Sequence, residues 1–140
     1  MHPSDNELSP EQQMYQENIL DHYREPHNKG ALIEYHIKHR EMNPICGDEI
    51  TIYITLDKRK KVTDIKFDGH GCAISQASMS MLSDVIKEKT IKQIMKISKE
   101  DILKMLGIPI GIVRMKCALL SLKTVQKGIN SVKSKIKNEK

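Results

Sequence analysis

The chain has 140 residues, 39% of them hydrophobic, and a formal net charge of +5, which is enough for one domain with a core of its own. We expect one domain over residues 1–140, with flexible ends at about 1–9 and 131–140. No segment approaches the roughly 20 apolar residues of a membrane span, and few aromatic side chains are available to stack on bases. We therefore expect neither a membrane nor a nucleic-acid partner. Three cysteines without a secretory signal predict reduced thiols and a cytoplasmic location.

The first predicted elements are a helix and a small sheet. Ser9 begins a pattern typical of a capping box and predicts a helix start. Residues 31–41 alternate enough to suggest a short strand. Strict alternation over 50–56 predicts a half-buried strand, and residues 62–67 predict the strand that returns after a charged turn. These strands should form a small antiparallel sheet.

Helices follow the sheet in the predicted order. Apolar residues recur at helical spacing from Ile74 to Ile86. Thr90 and Ser98 can each cap a short helix. Residues 108–115 are expected to form an irregular connector, so that the last helix begins near Lys116. A helix, a small antiparallel sheet and further helices packed against it predict the α+β class.

Each cysteine falls at the edge of a predicted element. Cys46 precedes a strand, Cys72 lies between a strand and a helix, and Cys117 is placed at the start of the last helix. A helix start favours a thiolate. Because Arg114 and Lys116 act in the same direction, we expect them to favour the thiolate form of Cys117. The three positions together predict one exposed cluster.

Asp48 provides a fourth candidate ligand, two residues after Cys46. Three thiolates suit zinc or an iron-sulfur cluster, and a carboxylate among them is the weaker, exchangeable ligand. In a plainer interpretation, Asp48 caps a turn and the cysteines are small core residues. The three cysteine positions taken together favour the metal site. His70, two residues before Cys72, is expected to lie outside the ligand set, and Gly71 allows a tight turn there.

Four segments resemble the IscU, SufU and NifU N-terminal family of iron-sulfur cluster assembly scaffold proteins. Three carry the cysteines, and the fourth is similar to the family's first helix; they read NPICGDEI, GHGCAISQASMSM, RMKCALLSLKTVQKGI and YQENILDHYREPHNKG. The resemblance runs from about Tyr15 to Ile129 and implies a SufE/NifU-like, IscU-type fold. It also implies that Cys46, Asp48 and Cys72 act together with Cys117 to bind a [2Fe-2S] cluster or zinc.

The resemblance further implies a function. Such proteins accept persulfide sulfur from a cysteine desulfurase and assemble a labile [2Fe-2S] cluster for transfer to recipient apoproteins, with Cys117 expected to receive the sulfur. They are scaffolds or sulfur acceptors rather than free-standing enzymes. Two alternatives remain open: a zinc-dependent sulfurtransferase of the SufU type that builds no cluster, and a structural zinc-binding interaction module. Lys116 matches the SufU branch, where the IscU branch has a histidine.

Overall fold

A computed structural model of the chain describes residues 8–138, with side chains described through Val132. The helices and strands in chain order are α1 (Pro10–Arg24), β1 (Ile37–Asn43), β2 (Asp48–Leu56), β3 (Val62–His70), α2 (Ala73–Ile86), α3 (Ile91–Met95), α4 (Lys99–Leu106) and α5 (Ile112–Asn138). This order confirms the predicted α+β class. The flexible ends predicted at about 1–9 and 131–140 lie partly outside the described residues, and the backbone is helical as far as Asn138.

The sheet is a three-stranded antiparallel meander in the order β1-β2-β3. Ile50, Ile52 and Ile54 are fully buried on one face of β2, which confirms the predicted alternation. Both β2 and β3 extend further toward the cysteines than predicted, because Asp48 pairs with Asn43 of β1 and Glu49 pairs with the last residue of β3. Asp48 is therefore held by the sheet rather than by a loop.

Helix α2 is surrounded by other elements and is buried on every side from Ile74 to Ser83. Helices α1 and α5 both pack against it, and α5 also covers β1. Hydrogen bonds offset the cost of burying the polar serine side chains of α2. Ser78 Oγ, for example, donates to the Ala118 carbonyl at 3.0 Å and lies 2.8 Å from Ser121 Oγ. The packed pair α2 and α5 thus positions Cys72, at the start of α2, and Cys117, within α5.

Helix α5 begins at Ile112, earlier than the predicted start near Lys116. The prediction of an irregular connector was therefore wrong for residues 112–115. Arg114 N–H donates to the Gly111 carbonyl at 3.1 Å and closes the first turn. The sequence pattern did not indicate this turn, because its apolar residues face solvent and lie outside the buried stripe of the helix. Within residues 8–138, no helix has both the length and the apolar character that a bilayer span requires.

Candidate metal site

The site forms where the loop between β1 and β2 meets the first residues of α2 and the second turn of α5. Cys46 lies in that loop, which turns back as the N–H groups of Cys46 and Gly47 donate to the Asn43 carbonyl at 3.2 and 2.8 Å. Gly47 has a φ of +74°, a conformation that glycine adopts without steric cost. The turn directs the chain into β2, where Asp48 is the first residue.

All four predicted ligand residues come together here. Cys117 Sγ lies 3.7 Å from Cys46 Sγ, and a carboxylate oxygen of Asp48 lies within 4.8 Å of both sulfur atoms. Cys72 Sγ lies 3.8 Å from Asp48 Oδ2. Two sulfur atoms on one tetrahedral zinc ion would be about 3.8 Å apart, given Zn–S bonds of about 2.3 Å. The donor set therefore suits a thiophilic metal in its chemistry, and the Cys46–Cys117 pair also has the spacing of two sulfur ligands.

Asp48 also has a structural role, because its buried carboxylate fixes the start of α2. Cys72 N–H donates to Asp48 Oδ1 at 2.8 Å. Gly71, between β3 and α2, makes this approach possible: a Cβ atom at that position would lie 2.2 Å from Asp48 Oδ1, and the φ of Gly71 is +145°. The turn-capping interpretation of Asp48 and the metal-ligand interpretation are therefore compatible.

Cys72 is the N-cap residue of α2, as its predicted position requires, and its Sγ accepts a hydrogen bond from Ser75 N–H at 3.5 Å. His70 lies outside the group of four, since its Nε2 is 3.5 Å from Glu49 Oε1 and its side chain is 72% exposed. Asn43, which the sequence motifs alone did not single out, places its Nδ2 4.0 Å from Cys117 Sγ. The sequence feature that could have pointed to it is its position as the first residue of NPICGDEI.

Comparison with known proteins places this arrangement in a family. Residues 14–139 match the family model described as the NifU-like N terminal domain. The chain belongs to this family. The zinc-dependent sulfurtransferase SufU of Bacillus subtilis is 37% identical over 133 residues, covering 83% of this chain and 89% of the relative. The iron-sulfur cluster assembly scaffold protein IscU 1 of Archaeoglobus fulgidus is 34% identical over 118 residues, covering 83% and 74%.

Solved structures give the same result for this NifU-like chain. A proposed iron-sulfur cluster assembly scaffold protein for the SUF system from Fervidobacterium islandicum matches with a TM-score of 0.68 and 31% identity, covering 83% of this chain and 96% of that one. The N-terminal part of a NifU-like protein from Brucella abortus matches with a TM-score of 0.72 and 22% identity, covering 86% and 95%; this second match supports the fold alone. The predicted family and the predicted fold are confirmed.

The electrostatic expectation for Cys117 in the NifU-like site was wrong. Burial raises the pKa of the Cys117 thiol well above its ordinary value, and hydrogen bonds with Asp48 and Cys46 raise it further, as does the nearby charge of Cys72. Cys117 is the sixth residue of α5 and only 3% exposed, so it lies beyond the unpaired N–H groups of the first turn. Lys116 is exposed and does not outweigh these effects.

The site opens toward solvent on the side of Cys46. Cys46 is exposed and Cys72 is half-buried, whereas Asp48 and Cys117 are buried. Large apolar side chains are exposed in two of the segments that form the site: Ile45 in the loop is 79% exposed, and Ile112 and Val113 in the first turn of α5 are 93% and 84% exposed. A cavity of about 300 Å³ lies between the loop and α5, lined by residues that include Ile45 and Leu119. We call Ile45, Ile112 and Val113 the apolar rim of the NifU-like site.

Proposed function

We propose that this NifU-like protein accepts persulfide sulfur from a cysteine desulfurase and assembles a labile [2Fe-2S] cluster for transfer to apoproteins. The observation that carries the proposal is the meeting of Cys46, Asp48, Cys72 and Cys117 at one junction, with Cys46 Sγ 3.7 Å from Cys117 Sγ. The names of relatives in cluster assembly support the same function. In this proposal, the cluster is the protein's cargo.

The ligand set suits cargo that must leave. Stable iron-sulfur clusters are held by four cysteine thiolates, whereas here the fourth donor is the Asp48 carboxylate. A hard oxygen donor binds iron or zinc in a sulfur-rich set less strongly than a thiolate does. Asp48 remains in place when its metal bond opens, because Cys72 N–H still donates to its Oδ1. The cluster can therefore be released without dismantling the site.

Sulfur acceptance is a thiol exchange in which Cys117 is the proposed nucleophile. The Cys117 thiolate attacks the outer sulfur of the desulfurase persulfide, a new S–S bond forms on Cys117, the donor S–S bond breaks, and the desulfurase cysteine leaves as a thiolate. No oxidant is consumed. Since the Cys117 thiol must first lose a proton, the hydrogen-bonded Asp48 carboxylate is placed to take it. Cys117 is buried, so the loop that carries Cys46 must move aside during the transfer.

Mapping the persulfide tests the nucleophile directly. The purified protein would be incubated without oxygen with a cysteine desulfurase and cysteine, then alkylated, digested and examined by mass spectrometry. We expect the extra sulfur atom on Cys117 in the wild type and in Cys46→Ser, and on no cysteine in Cys117→Ser. Sulfur retained on Cys46 in Cys117→Ser, together with its loss in Cys46→Ser, would make Cys46 the acceptor. Circular dichroism would show that each variant is folded.

A zinc-dependent sulfur relay is the second candidate, and two observations favour it. The spacing of Cys46 and Cys117 matches two sulfur ligands of a single tetrahedral ion, and the zinc-dependent SufU of Bacillus subtilis is 37% identical. Reconstitution with iron and sulfide separates the candidates. The scaffold gains the visible absorption of a cluster that it then passes to an apoprotein, whereas the relay transfers sulfur only in its zinc form and forms no cluster.

The third candidate, a structural zinc-binding module, makes a prediction that the other two do not. If metal served only to hold the fold, chelation would unfold the chain. The core consists mainly of aliphatic side chains of β2, β3, α2 and α5; of the three cysteines, Cys117 belongs to it and the partly buried Cys72 packs against it. We therefore expect the metal-free protein to keep its far-ultraviolet circular dichroism spectrum, and unfolding on chelation would support the module.

A further inference from the structure

A second group of metal-ligating side chains lies at the other end of α2. His22 is in the last turns of α1, His27 is in the loop that follows, and Asp84 is in the last turn of α2; we call these three residues the histidine cluster. Asp84 is twelve positions after Cys72, which is about 18 Å along a helix that rises about 1.5 Å per residue. The histidine cluster is therefore separate from the cysteine site.

The three side chains lie close enough for one ion to bind them once His27 and Asp84 exchange their mutual hydrogen bond for bonds to the metal. One ring nitrogen of each histidine and one carboxylate oxygen of Asp84 all lie within 4.8 Å of one another. His27 Nδ1 is 2.5 Å from Asp84 Oδ2, and the ring centroids of His22 and His27 are 4.3 Å apart. Three separate segments of the chain thus direct nitrogen and oxygen donors to one place.

Neighbouring residues hold these donors in position. The fully buried Ser80 Oγ accepts a hydrogen bond from His27 N–H at 2.8 Å and lies 2.7 Å from His22 Nδ1. Asn28 Nδ2 donates to Asp84 Oδ1 at 2.9 Å, which leaves the other carboxylate oxygen facing His27. Fixing the second nitrogen of a histidine and the second oxygen of a carboxylate is the usual task of residues around a metal site.

We propose that the histidine cluster binds a divalent transition-metal ion such as Zn²⁺ through His22, His27 and Asp84. Two imidazoles and one carboxylate suit zinc and its first-row neighbours, whereas Mg²⁺ and Ca²⁺ prefer oxygen ligands. Three protein ligands leave a coordination position for water or an external ligand. A cavity of about 600 Å³, lined in part by Asp21 and Arg24, adjoins the cluster. The bound ion would tie α1 and the loop after it to α2.

Cobalt titration of the reduced, metal-free protein distinguishes the two sites. Co²⁺ bound by thiolates gives intense ultraviolet charge-transfer bands, while Co²⁺ bound by imidazole and carboxylate gives only weak visible bands. We expect two binding phases in the wild type, only one of which develops charge-transfer absorption. His27→Gln and Asp84→Asn should weaken the phase without charge transfer by at least about tenfold, since even the loss of an outer contact costs about that much.

The matched control is His70→Gln, which removes an exposed histidine beside the cysteine site and leaves the histidine cluster intact. We expect both phases to persist in this variant. If the wild type shows no charge-transfer phase but keeps the other phase, the proposed cysteine site fails and the histidine cluster stands. A single phase that His27→Gln does not change would overturn the second site.

Nitrogen NMR of the histidine rings provides a test on the unmodified protein. With Zn²⁺ added beyond the amount that fills the cysteine site, the ring-nitrogen resonances of His22 and His27 should move to values typical of metal-bound imidazole. Those of His36 and His39 should remain where they were. If the His22 and His27 resonances also stay unchanged at saturating Zn²⁺, the cluster is a hydrogen-bonded connection between α1 and α2 only, and the proposal fails.

Discussion

Asp48 links the fold to the chemistry of the site through the two oxygens of one carboxylate. Oδ1 accepts the backbone hydrogen bond from Cys72 that fixes the start of α2, and Oδ2 lies 3.8 Å from Cys72 Sγ. A buried acceptor of this kind is costly to remove, because the N–H donor that it leaves behind loses its partner in a partly buried position. We therefore expect this residue to affect both stability and metal binding.

Substitutions of Asp48 should separate these two roles. Asp48→Ala leaves the Cys72 N–H without its acceptor and should lower the free energy of unfolding by about 1–3 kcal/mol. Asp48→Asn keeps a carbonyl oxygen at the same place and should lose less stability, although it loses the anionic ligand. Urea denaturation of the metal-free proteins measures the difference. Equal stability of the two variants would remove the structural role.

Gly71 is the residue that allows Asp48 to approach. In Gly71→Ala the added methyl group would meet Asp48 Oδ1 at 2.2 Å in a backbone conformation unfavourable for alanine. We expect a loss of at least about 2 kcal/mol in the free energy of unfolding, from steric overlap and backbone strain, together with weaker Zn²⁺ binding. Gly111→Ala is the matched control, since nothing lies within 4 Å of its Cβ position. Equal effects of the two substitutions would contradict this account.

The stability of the metal-free protein should depend on pH through Cys117. Burial raises the pKa of this thiol above its ordinary value of 9.0, so at higher pH the unfolded chain releases a proton that the folded chain retains. The stabilisation is complete below pH 9 and is lost as pH rises beyond it, at up to about 1.4 kcal/mol per pH unit. Urea unfolding from pH 8 to pH 10 would show this slope, and Cys117→Ser should reduce it. An unchanged slope in that variant would assign the effect elsewhere.

At the scale of single elements, the start of α5 shows what the sequence pattern could and could not reveal. A stripe of apolar residues at helical spacing in the sequence, Ala118, Leu122, Val125 and Ile129, indicates the helix, and all four are buried. The first turn was missed because Ile112 and its neighbour face solvent and lie outside that stripe. Shifting the start by four residues moves Cys117 into the second turn. The predicted effect of the helix terminus on its pKa depended on that boundary and failed with it.

The exposed first turn of α5 should serve as a docking element for the desulfurase. Substituting Asp for both Ile112 and Val113 would remove apolar contact area from the apolar rim. It should raise the KM of the desulfurase for this protein as sulfur acceptor about fivefold to thirtyfold, as expected for interface hot spots. Zn²⁺ binding should be unchanged. The control is Ile33→Asp, a 99% exposed position outside this rim. Desulfurase kinetics with equal losses in both variants would argue against a specific rim.

At the scale of the whole molecule, local patterns predicted the elements and the family, while packing decided which residues meet. Alternation in β2 and the capping residues Ser9, Thr90 and Ser98 gave the α+β order correctly. The cysteine cluster could be anticipated because each cysteine lies near an element boundary. Its detailed geometry depends on long-range pairing, such as Glu49 with His70. No spacing rule could indicate the histidine cluster, which exists only because α1 packs against α2.

The most direct test of the account is the metal and acid-labile sulfide content of the protein purified without oxygen, measured beside Cys46→Ser, Cys72→Ser and Cys117→Ser. We expect the wild type to carry a thiolate-bound centre, as iron with an equal amount of sulfide or as zinc, and each folded variant to lose that centre. Iron with sulfide supports the scaffold, and zinc without colour supports the sulfur relay. Metal and sulfide contents that the three substitutions leave unchanged would contradict the assignment of the site.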